Sequence, residues 1–185
     1  MKLTLSNSIV TSTYQQLTSN DSKNNHGSTN KAKVTALSYS SDSSRLAVAT
    51  ADRSISLYNN QGKLVDKFQT KPNGDGPKDY IVRELRFSPN AGQPKLAIAK
   101  SDAIVFVYKW KQQVNDGSTK KKDENVHVWD GKKSICNKFP EQSAITSLIW
   151  SYKQPIQIVY GLMDGKVKIG NLPSLQNRKI QAVSK

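Results

Sequence analysis

The stretch VTALSYS at residues 34–40 returns as VRELRFS at 82–88 and as ITSLIWS at 145–151. Each copy places a β-branched residue, a leucine three positions later, an aromatic residue two positions beyond it, and a closing serine at identical offsets. Apolar positions at strand spacing followed by a turn-forming serine are typical of a β-strand. Three copies of one strand pattern predict a repeat protein built from equivalent units.

A second apolar stretch follows each copy after a short polar loop. The three stretches are LAVA at 46–49, LAIA at 96–99 and the segment 156–161. Near-continuous Ala, Val, Ile and Leu predicts strands buried on both faces, in the interior of stacked sheets.

An aspartate stands three residues after the end of each of these stretches. The three are Asp52, Asp102 and Asp164. A carboxylate accepts hydrogen bonds from nearby backbone N–H groups, so aspartate suits a tight turn between strands. Because they recur once per unit, we predict a structural blade-turn role for them rather than a catalytic or calcium-binding one.

Apolar residues three and five positions after each aspartate predict a third strand, and residues 64–69 add a fourth strand to the first unit. Units of roughly 45 to 60 residues are close to the ~40 to 45 of a WD40 blade. The pattern resembles the WD-repeat family, with Tyr58-Asn59 where Trp-Asp is commonest. The glycine-histidine pair that often opens a WD repeat is missing, and Trp129-Asp130 stands at the wrong distance from a turn aspartate.

The predicted fold class is therefore all-β, with about three four-stranded WD40-like β-propeller blades. Propellers close with about four to eight blades, so three blades predict an incomplete propeller within a longer protein. We expect a closing strand and linker at 1–17, with Lys2 to Leu5 as the strand, and a polar flexible segment at 18–31. The blades are expected at about 32–70, 78–140 and 143–185, with a polar insertion of open role at 111–125.

The charge of the chain, +14, invites a nucleic-acid hypothesis, but the surplus is spread along the sequence. Lys120, Lys121 and Lys122 form the only basic triple, and two acidic residues follow it directly. No apolar run approaches the ~20 residues of a transmembrane helix, and no secretory signal opens the chain. A single cysteine, Cys136, fits a cytoplasmic compartment.

Catalytic patterns are missing from the sequence. It contains neither a P-loop nor a Gly-x-Gly-x-x-Gly motif, and one cysteine with two scattered histidines makes neither a nucleophile–base pair nor a zinc site. We therefore expect no enzyme activity, no metal and no cofactor. Tyr39, Phe87 and Trp150 share one offset and are expected to pack between blades, whereas Trp110 and Trp129, if exposed, would suit a protein-binding hot spot.

A narrower resemblance rests on motifs that stand in order along the second and third units. They are Asp66-Lys67-Phe68, Thr70-Lys71-Pro72, Phe87-Ser88-Pro89, Ser134-Ile135-Cys136-Asn137-Lys138-Phe139 and Gly165-Lys166-Val167-Lys168. Over about residues 32–172 the chain resembles the N-terminal region of the intraflagellar transport protein 172 family. The polar segment before Lys31 and the insertion around Lys120 depart from that pattern.

This resemblance implies a non-catalytic scaffold in a subunit of intraflagellar transport complex B, supporting cilium assembly and anterograde transport. It implies other complex B subunits as partners, including one with a calponin-homology domain, and a location in the cilium, basal body and cytoplasm. The residues that bind partners are unknown from sequence. The alternative, from the charge of +14, is a basic propeller that binds RNA, tubulin or anionic membranes.

Overall fold

The computed structural model describes residues 33–74, 79–110, 129 and 132–173. These residues form eleven β-strands and no helix, so the all-β prediction is confirmed. The strands are β1 (Val34–Tyr39), β2 (Arg45–Thr50), β3 (Ser54–Asn59), β4 (Leu64–Gln69), β5 (Val82–Phe87), β6 (Lys95–Lys100), β7 (Ile104–Trp110), β8 (Lys133–Pro140), β9 (Ile145–Trp150), β10 (Gln157–Leu162) and β11 (Val167–Asn171).

The strands form three antiparallel sheets, each made of strands that are consecutive in sequence. Sheet 1 has the order β1-β2-β3-β4, sheet 2 the order β5-β6-β7-β8, and sheet 3 the order β9-β10-β11. Short turns suffice for this connectivity, because antiparallel neighbours run in opposite directions. Sheet 3 has three strands in the described part, since the residues expected to supply a fourth, 174–185, lie outside it.

The three sheets share one irregularity at the same place. An extra residue bulges from the first strand of each sheet opposite the end of the second strand: Thr35 in β1, Arg83 in β5 and Thr146 in β9. A bulge bends its strand and increases the local twist. Its recurrence at one offset shows that the three sequence copies have equivalent backbone geometry.

The second strands are the most buried part of the fold. All residues of β2 and β6 beyond the first are buried, as the unbroken apolar runs predict. In β10 burial alternates, with Ile158, Tyr160 and Leu162 buried and the residues between them partly exposed.

Sheets 1 and 2 enclose the first core. Sheet 1 contributes small and branched side chains such as Ala47 and Leu57, and sheet 2 contributes larger ones such as Leu85 and Phe106. Small residues facing large ones let the two sheets approach closely at native packing density. Each fully buried large apolar side chain contributes about 1.5–3 kcal/mol through the hydrophobic effect.

Sheets 2 and 3 enclose the second core, and one pair of positions differs between the two cores. Tyr108 of β7 packs against Phe68 of β4, with ring centroids 5.2 Å apart. At the equivalent place in the next core, Gly170 of β11 faces Phe139 of β8. A Cβ atom at Gly170 would lie 2.7 Å from Cε1 of that ring. The phenylalanine in the second core therefore occupies space that a side chain at 170 would need.

The first strands of the three sheets lie side by side, β1 against β5 and β5 against β9. Phe87 donates its backbone N–H to Oγ of Ser38 across 3.0 Å, which links β5 to β1. The N–H of Leu148 donates to Oε2 of Glu84 at 2.7 Å. Nε of Arg86 donates to the Leu148 carbonyl at 3.1 Å. Polar side chains thus connect the sheets where their first strands meet.

The prediction of packing between blades is confirmed for Phe87 and Trp150, whereas Tyr39 packs against no described sheet. Phe87 and Trp150 are 8% and 4% exposed, and Trp150 also donates its indole N–H to the Arg86 carbonyl at 2.8 Å. Tyr39 is 61% exposed. Sheet 1 is the first sheet of the described part, so no described sheet covers the side of β1 that carries Tyr39.

Several sequence predictions concern residues outside the described part. They are the closing strand Lys2 to Leu5, the segments 1–17 and 18–31, and the insertion 111–125.

Candidate interaction surface

The loops lie at two opposite ends of the sheets, because strand direction alternates. The loops β1–β2, β5–β6 and β9–β10 lie at one end, which we call the serine end after Ser40, Ser88 and Ser151. The loops β2–β3, β6–β7 and β10–β11 lie at the other, which we call the aspartate end. It carries the predicted turn residues Asp52, Asp102 and Asp164.

At the serine end, each turn serine caps its own loop. Oγ of Ser40 accepts the N–H of Arg45 at 2.9 Å, and Oγ of Ser88 accepts the N–H of Lys95 at 3.0 Å. Oγ of Ser151 accepts a backbone N–H from within its loop at 3.1 Å. These bonds satisfy backbone donors that leave the strand ladder. The serine at the end of each sequence copy is the feature of the sequence that indicates these turn hydrogen bonds.

At the aspartate end, two of the three predicted residues accept a bond from a backbone N–H two positions on. Oδ1 of Asp52 accepts the N–H of Ser54 at 3.2 Å, and Oδ1 of Asp164 accepts the N–H of Lys166 at 3.2 Å. Burial opposes ionisation of Asp52, but bonds from Thr50 and Ser54 outweigh it and lower its pKa. Hydrogen bonds from Lys166 lower the pKa of Asp164.

The residue after each aspartate has a left-handed backbone. The φ angle is 70° at Arg53, 58° at Ala103 and 83° at Gly165. A left-handed conformation costs about 1 kcal/mol or more for a residue with a Cβ, and glycine avoids this cost. The tight turn therefore imposes backbone strain at Arg53 and Ala103, whereas Gly165 adopts the same conformation without it.

Asp102 behaves differently, because its carboxylate bonds outside its own turn. Oδ2 accepts the backbone N–H of Asn73 at 3.1 Å and the ammonium of Lys100 at 2.9 Å. The side chain of Asn73 donates to the Asp102 carbonyl at 3.3 Å. Asp102 thus ties the β6–β7 turn to the segment that follows β4.

Lys100, a buried charged residue that links two segments of the fold, was not identified by the sequence analysis. Its side chain is fully buried, and Nζ donates to the carbonyl of Lys71 at 2.6 Å. The ammonium lies 3.8 Å from the ring centroid of Tyr80 and 4.7 Å from that of Phe106. Burial lowers the pKa of Lys100, and the bond to Asp102 opposes the shift. The signal was a lysine closing an otherwise apolar strand, LAIAK.

A groove of about 590 Å³ opens at the serine end. We call it the tyrosine groove. Its lining includes Tyr39, Arg86, Pro89, Ile149, Trp150 and Tyr152. Tyr39, Ile149 and Tyr152 are 61%, 55% and 85% exposed, whereas Trp150 is buried and forms part of the floor. The groove crosses the ends of β1, β5 and β9, so it belongs to all three sheets.

Charge is distributed unequally between the two ends of the described part. The serine end carries one acidic residue, Asp42, in its loops and at the adjoining strand ends. The basic residues there are Arg45, Lys63, Lys95, Lys132, Lys133 and Lys153, of which Lys133 is paired with Asp66 of β4 at 2.7 Å. The aspartate end carries Lys33, Arg53, Lys71, Lys100 and Lys166 against Asp52, Asp79, Asp102, Glu141 and Asp164. The serine end is therefore basic and the aspartate end is balanced.

The two tryptophans proposed as a binding hot spot pack inward instead. Trp110 is 8% exposed, and Trp129 is half-buried with its ring centroid 4.9 Å from that of Trp110. Trp129 also donates its indole N–H to Oγ of Ser44 at 3.2 Å, and the Arg45 guanidinium lies 5.5 Å from its ring centroid. The hypothesis required both tryptophans to be exposed. Trp110 is buried, and Trp129 packs against Trp110 of sheet 2 and bonds to the β1–β2 loop of sheet 1.

Cys136 is half-buried and packs against the second core. His26 and His127 lie outside the described residues. Within residues 33–74, 79–110, 129 and 132–173, no three His, Cys, Asp or Glu side chains are grouped as metal binding requires. The same ranges hold no helix with the length and apolar character of a membrane span.

Comparison with known proteins gives the family context. Residues 20–59 match the family model described as "WD domain, G-beta repeat". The chain is 42% identical over 141 residues to "Intraflagellar transport protein 172" of Chlamydomonas reinhardtii, and 39% identical over 142 residues to the Homo sapiens homolog. It is 36% identical over 142 residues to "Intraflagellar transport protein osm-1" of Caenorhabditis elegans. Each match covers 76% of this chain and 7% of the relative.

Proposed function

We propose that this chain, a homologue of intraflagellar transport protein 172 with WD40-type blades, is a non-catalytic protein-interaction scaffold in intraflagellar transport complex B. The observation that carries the proposal is the identity of 36–42% over 76% of the chain to proteins named for intraflagellar transport. Because the chain spans only 7% of those relatives, the role of a whole relative is part of the proposal.

The geometry supports a scaffold, because the polar contacts of the described residues serve the architecture. Glu84 and Arg86 connect the first strands, and Lys100 with Asp102 holds the segment between sheets 1 and 2. Repeated units that hold one another in register present rigid loops for partner binding. We propose the same structural blade-turn role for Asp52, together with Asp102 and Asp164, and blades at about 32–70, 78–140 and 143–185.

The proposed partners are other complex B subunits, including one with a calponin-homology domain. The proposed location is the cilium or flagellum, the basal body and the cytoplasm. The supporting observation is again the likeness to relatives whose names refer to intraflagellar transport.

A replacement experiment tests the proposal. The matching segment of the Chlamydomonas relative is exchanged for this chain, and flagellar length and co-precipitation of complex B subunits are measured. We expect flagella to assemble and the subunits to co-precipitate. A matched exchange that carries Lys100→Met should lower both, because it weakens the fold. A stable hybrid protein that does not co-precipitate with complex B subunits would contradict the proposal.

Binding of RNA, tubulin or anionic membranes is a second candidate function. It is supported by the net charge of +14 and by the basic serine end. Binding of this kind weakens steeply as salt rises, so a salt titration with each polyanion distinguishes it from the scaffold function.

A further inference from the structure

The connection between β7 and β8 is much longer than its equivalent in sheet 1. Residues 111–132 join β7 to β8, whereas residues 60–63 join β3 to β4. The turn in sheet 1 is held locally, because Oδ1 of Asn59 accepts the backbone N–H of Gln61 at 3.0 Å and that of Lys63 at 2.9 Å. The entropic cost of pairing two strands grows with the length of chain between them, and the longer connection disfavours β8 by about tenfold. Sheet 2 therefore needs a different contact to hold its outer strand.

We propose that Trp129 is an anchor that fixes the start of β8 and makes its pairing with β7 independent of residues 111–128. The ring centroid of Trp129 lies 4.9 Å from that of Trp110, the last residue of β7, and 5.6 Å from that of Phe87. Lys133, the first residue of β8, pairs with Trp110 in the ladder. Trp129 thus contacts the strand end beside which β8 begins, and residues 130–132 separate the anchor from β8.

The site that receives Trp129 is ordered by its own hydrogen bonds. The indole N–H of Trp129 donates to Oγ of Ser44 at 3.2 Å, and that hydroxyl donates to Oδ1 of Asp42 at 2.9 Å. Because Asp42 takes the hydroxyl proton, the Ser44 oxygen presents its lone pairs to the indole. The Arg45 guanidinium lies 5.5 Å from the Trp129 ring centroid. Trp129 therefore has a specific polar partner on sheet 1 in addition to its aromatic contacts on sheet 2.

The first residue of β8 also contacts sheet 1, but this contact is weaker. Nζ of Lys133 lies 2.7 Å from Oδ2 of Asp66 in β4 and 4.8 Å from the ring centroid of Phe68. The side chains of Lys133 and Asp66 are 27% and 32% exposed, so water screens the ion pair and its contribution is small. The contacts of Trp129 are therefore the main restraint on this end of β8.

The test is hydrogen exchange of the full chain, measured by mass spectrometry of peptides from β8 and from β6, the central strand beside β7. Trp129→Ala should speed exchange in β8 relative to β6 by about tenfold, because the connection then acts at its full length. Ile55→Val is the matched control, since it removes a methylene group from the first core at a residue that is 0% exposed. This control leaves the connection intact and should speed exchange in β6 and β8 by the same factor.

A deletion of residues 114–125 separates an anchor from ordinary apolar packing. In the parent, the deletion should leave exchange in β8 unchanged, because Trp129 already isolates β8 from the connection. In Trp129→Ala, the same deletion should slow exchange in β8 by about threefold, because a shorter connection lowers the entropic cost of pairing.

Equal acceleration of exchange in β6 and β8 of Trp129→Ala would overturn the proposal, because Trp129 would then act as any other residue of the core. A deletion that fails to slow exchange in β8 of that variant would overturn it as well. If Trp129→Ala does not fold, Trp129→Phe takes its place, since it keeps an aromatic ring but removes the donor to Ser44, and the exchange ratio should change in the same direction. These measurements involve no complex B subunit, so their outcome is independent of the proposed function.

Discussion

Replacing Lys100 with methionine probes the contact that holds sheets 1 and 2 to the segment between them. Methionine keeps most of the length of the side chain and its apolar contacts with Tyr80 and Phe106, but it removes the charge. The variant loses the 2.6 Å bond to the Lys71 carbonyl and the 2.9 Å ion pair with Asp102. Oδ2 of Asp102 then keeps the N–H of Asn73 as a donor.

The expected cost follows from these losses. A hydrogen bond to a charged group contributes about 1.5–3 kcal/mol, and removal of one partner of a buried ion pair costs about 3–5 kcal/mol. Asp102 retains 14% side-chain exposure although its Oδ1 is buried, and we expect a cost at the lower end of that range, about 3 kcal/mol. For a chain of this size that corresponds to about 6–12 °C in Tm.

The assay is urea unfolding followed by tryptophan fluorescence, with circular dichroism as a second probe for two-state behaviour. Trp110 and Trp150 are buried and report on both cores. Lys166→Met is the matched control, because Lys166 pairs with Asp164 at 2.8 Å but is largely exposed. Its urea midpoint should match the parent within error.

A midpoint for Lys100→Met no lower than that of Lys166→Met would refute the reasoning. The double variant Lys100→Met with Asp102→Asn adds a further check. Because neutralising Asp102 removes the unpaired charge, its cost should be smaller than the sum of the single variants. Additive costs would show that the ion pair contributes nothing.

Three further predictions concern the turns and the second core. Gly170→Ala should lower the free energy of unfolding by about 1–3 kcal/mol in urea, because its Cβ meets the Phe139 ring, and Phe139→Leu should restore part of the loss. If Gly170→Ala is neutral, the ring has room to move. Ala103→Gly should raise stability by up to about 1 kcal/mol, since φ is 58° there, and a lower urea midpoint would contradict the strain argument. Stability should fall as pH drops below about 4, where Asp52 and Asp164 lose the hydrogen-bonded carboxylates that lower their pKa. Asp52→Asn should make the free energy of unfolding depend less on pH in this acid range. An unchanged pH dependence would exclude Asp52 as a contributor.

The strands were predictable because their signal is local. A β-branched residue, a leucine and an aromatic residue at fixed spacing describe one strand, and the aspartate three residues after an apolar run describes one turn. The burial of β2 and β6 followed in the same way from unbroken apolar composition.

The contacts between sheets were not predictable, because their partners are distant in sequence. Lys100 bonds to Lys71, and Arg86 bonds to Leu148, across 29 and 62 positions. Tyr39 shares an offset with Phe87 but not its burial, since burial depends on what lies opposite a strand. The basic serine end likewise emerged only once the topology had sorted the loops into two groups.

The connectivity of the sheets also bears on how the protein forms. Every ladder joins strands that are neighbours in the chain, so each hairpin can close soon after synthesis, before later strands exist. Loop-closure entropy then disfavours chiefly the contacts between sheets, such as that of Glu84 with Leu148, and the pairing of β7 with β8 across residues 111–132. Low contact order within each sheet and a few distant contacts between sheets predict vectorial folding on the ribosome, in which sheet 1 forms first and serves as the template for sheet 2.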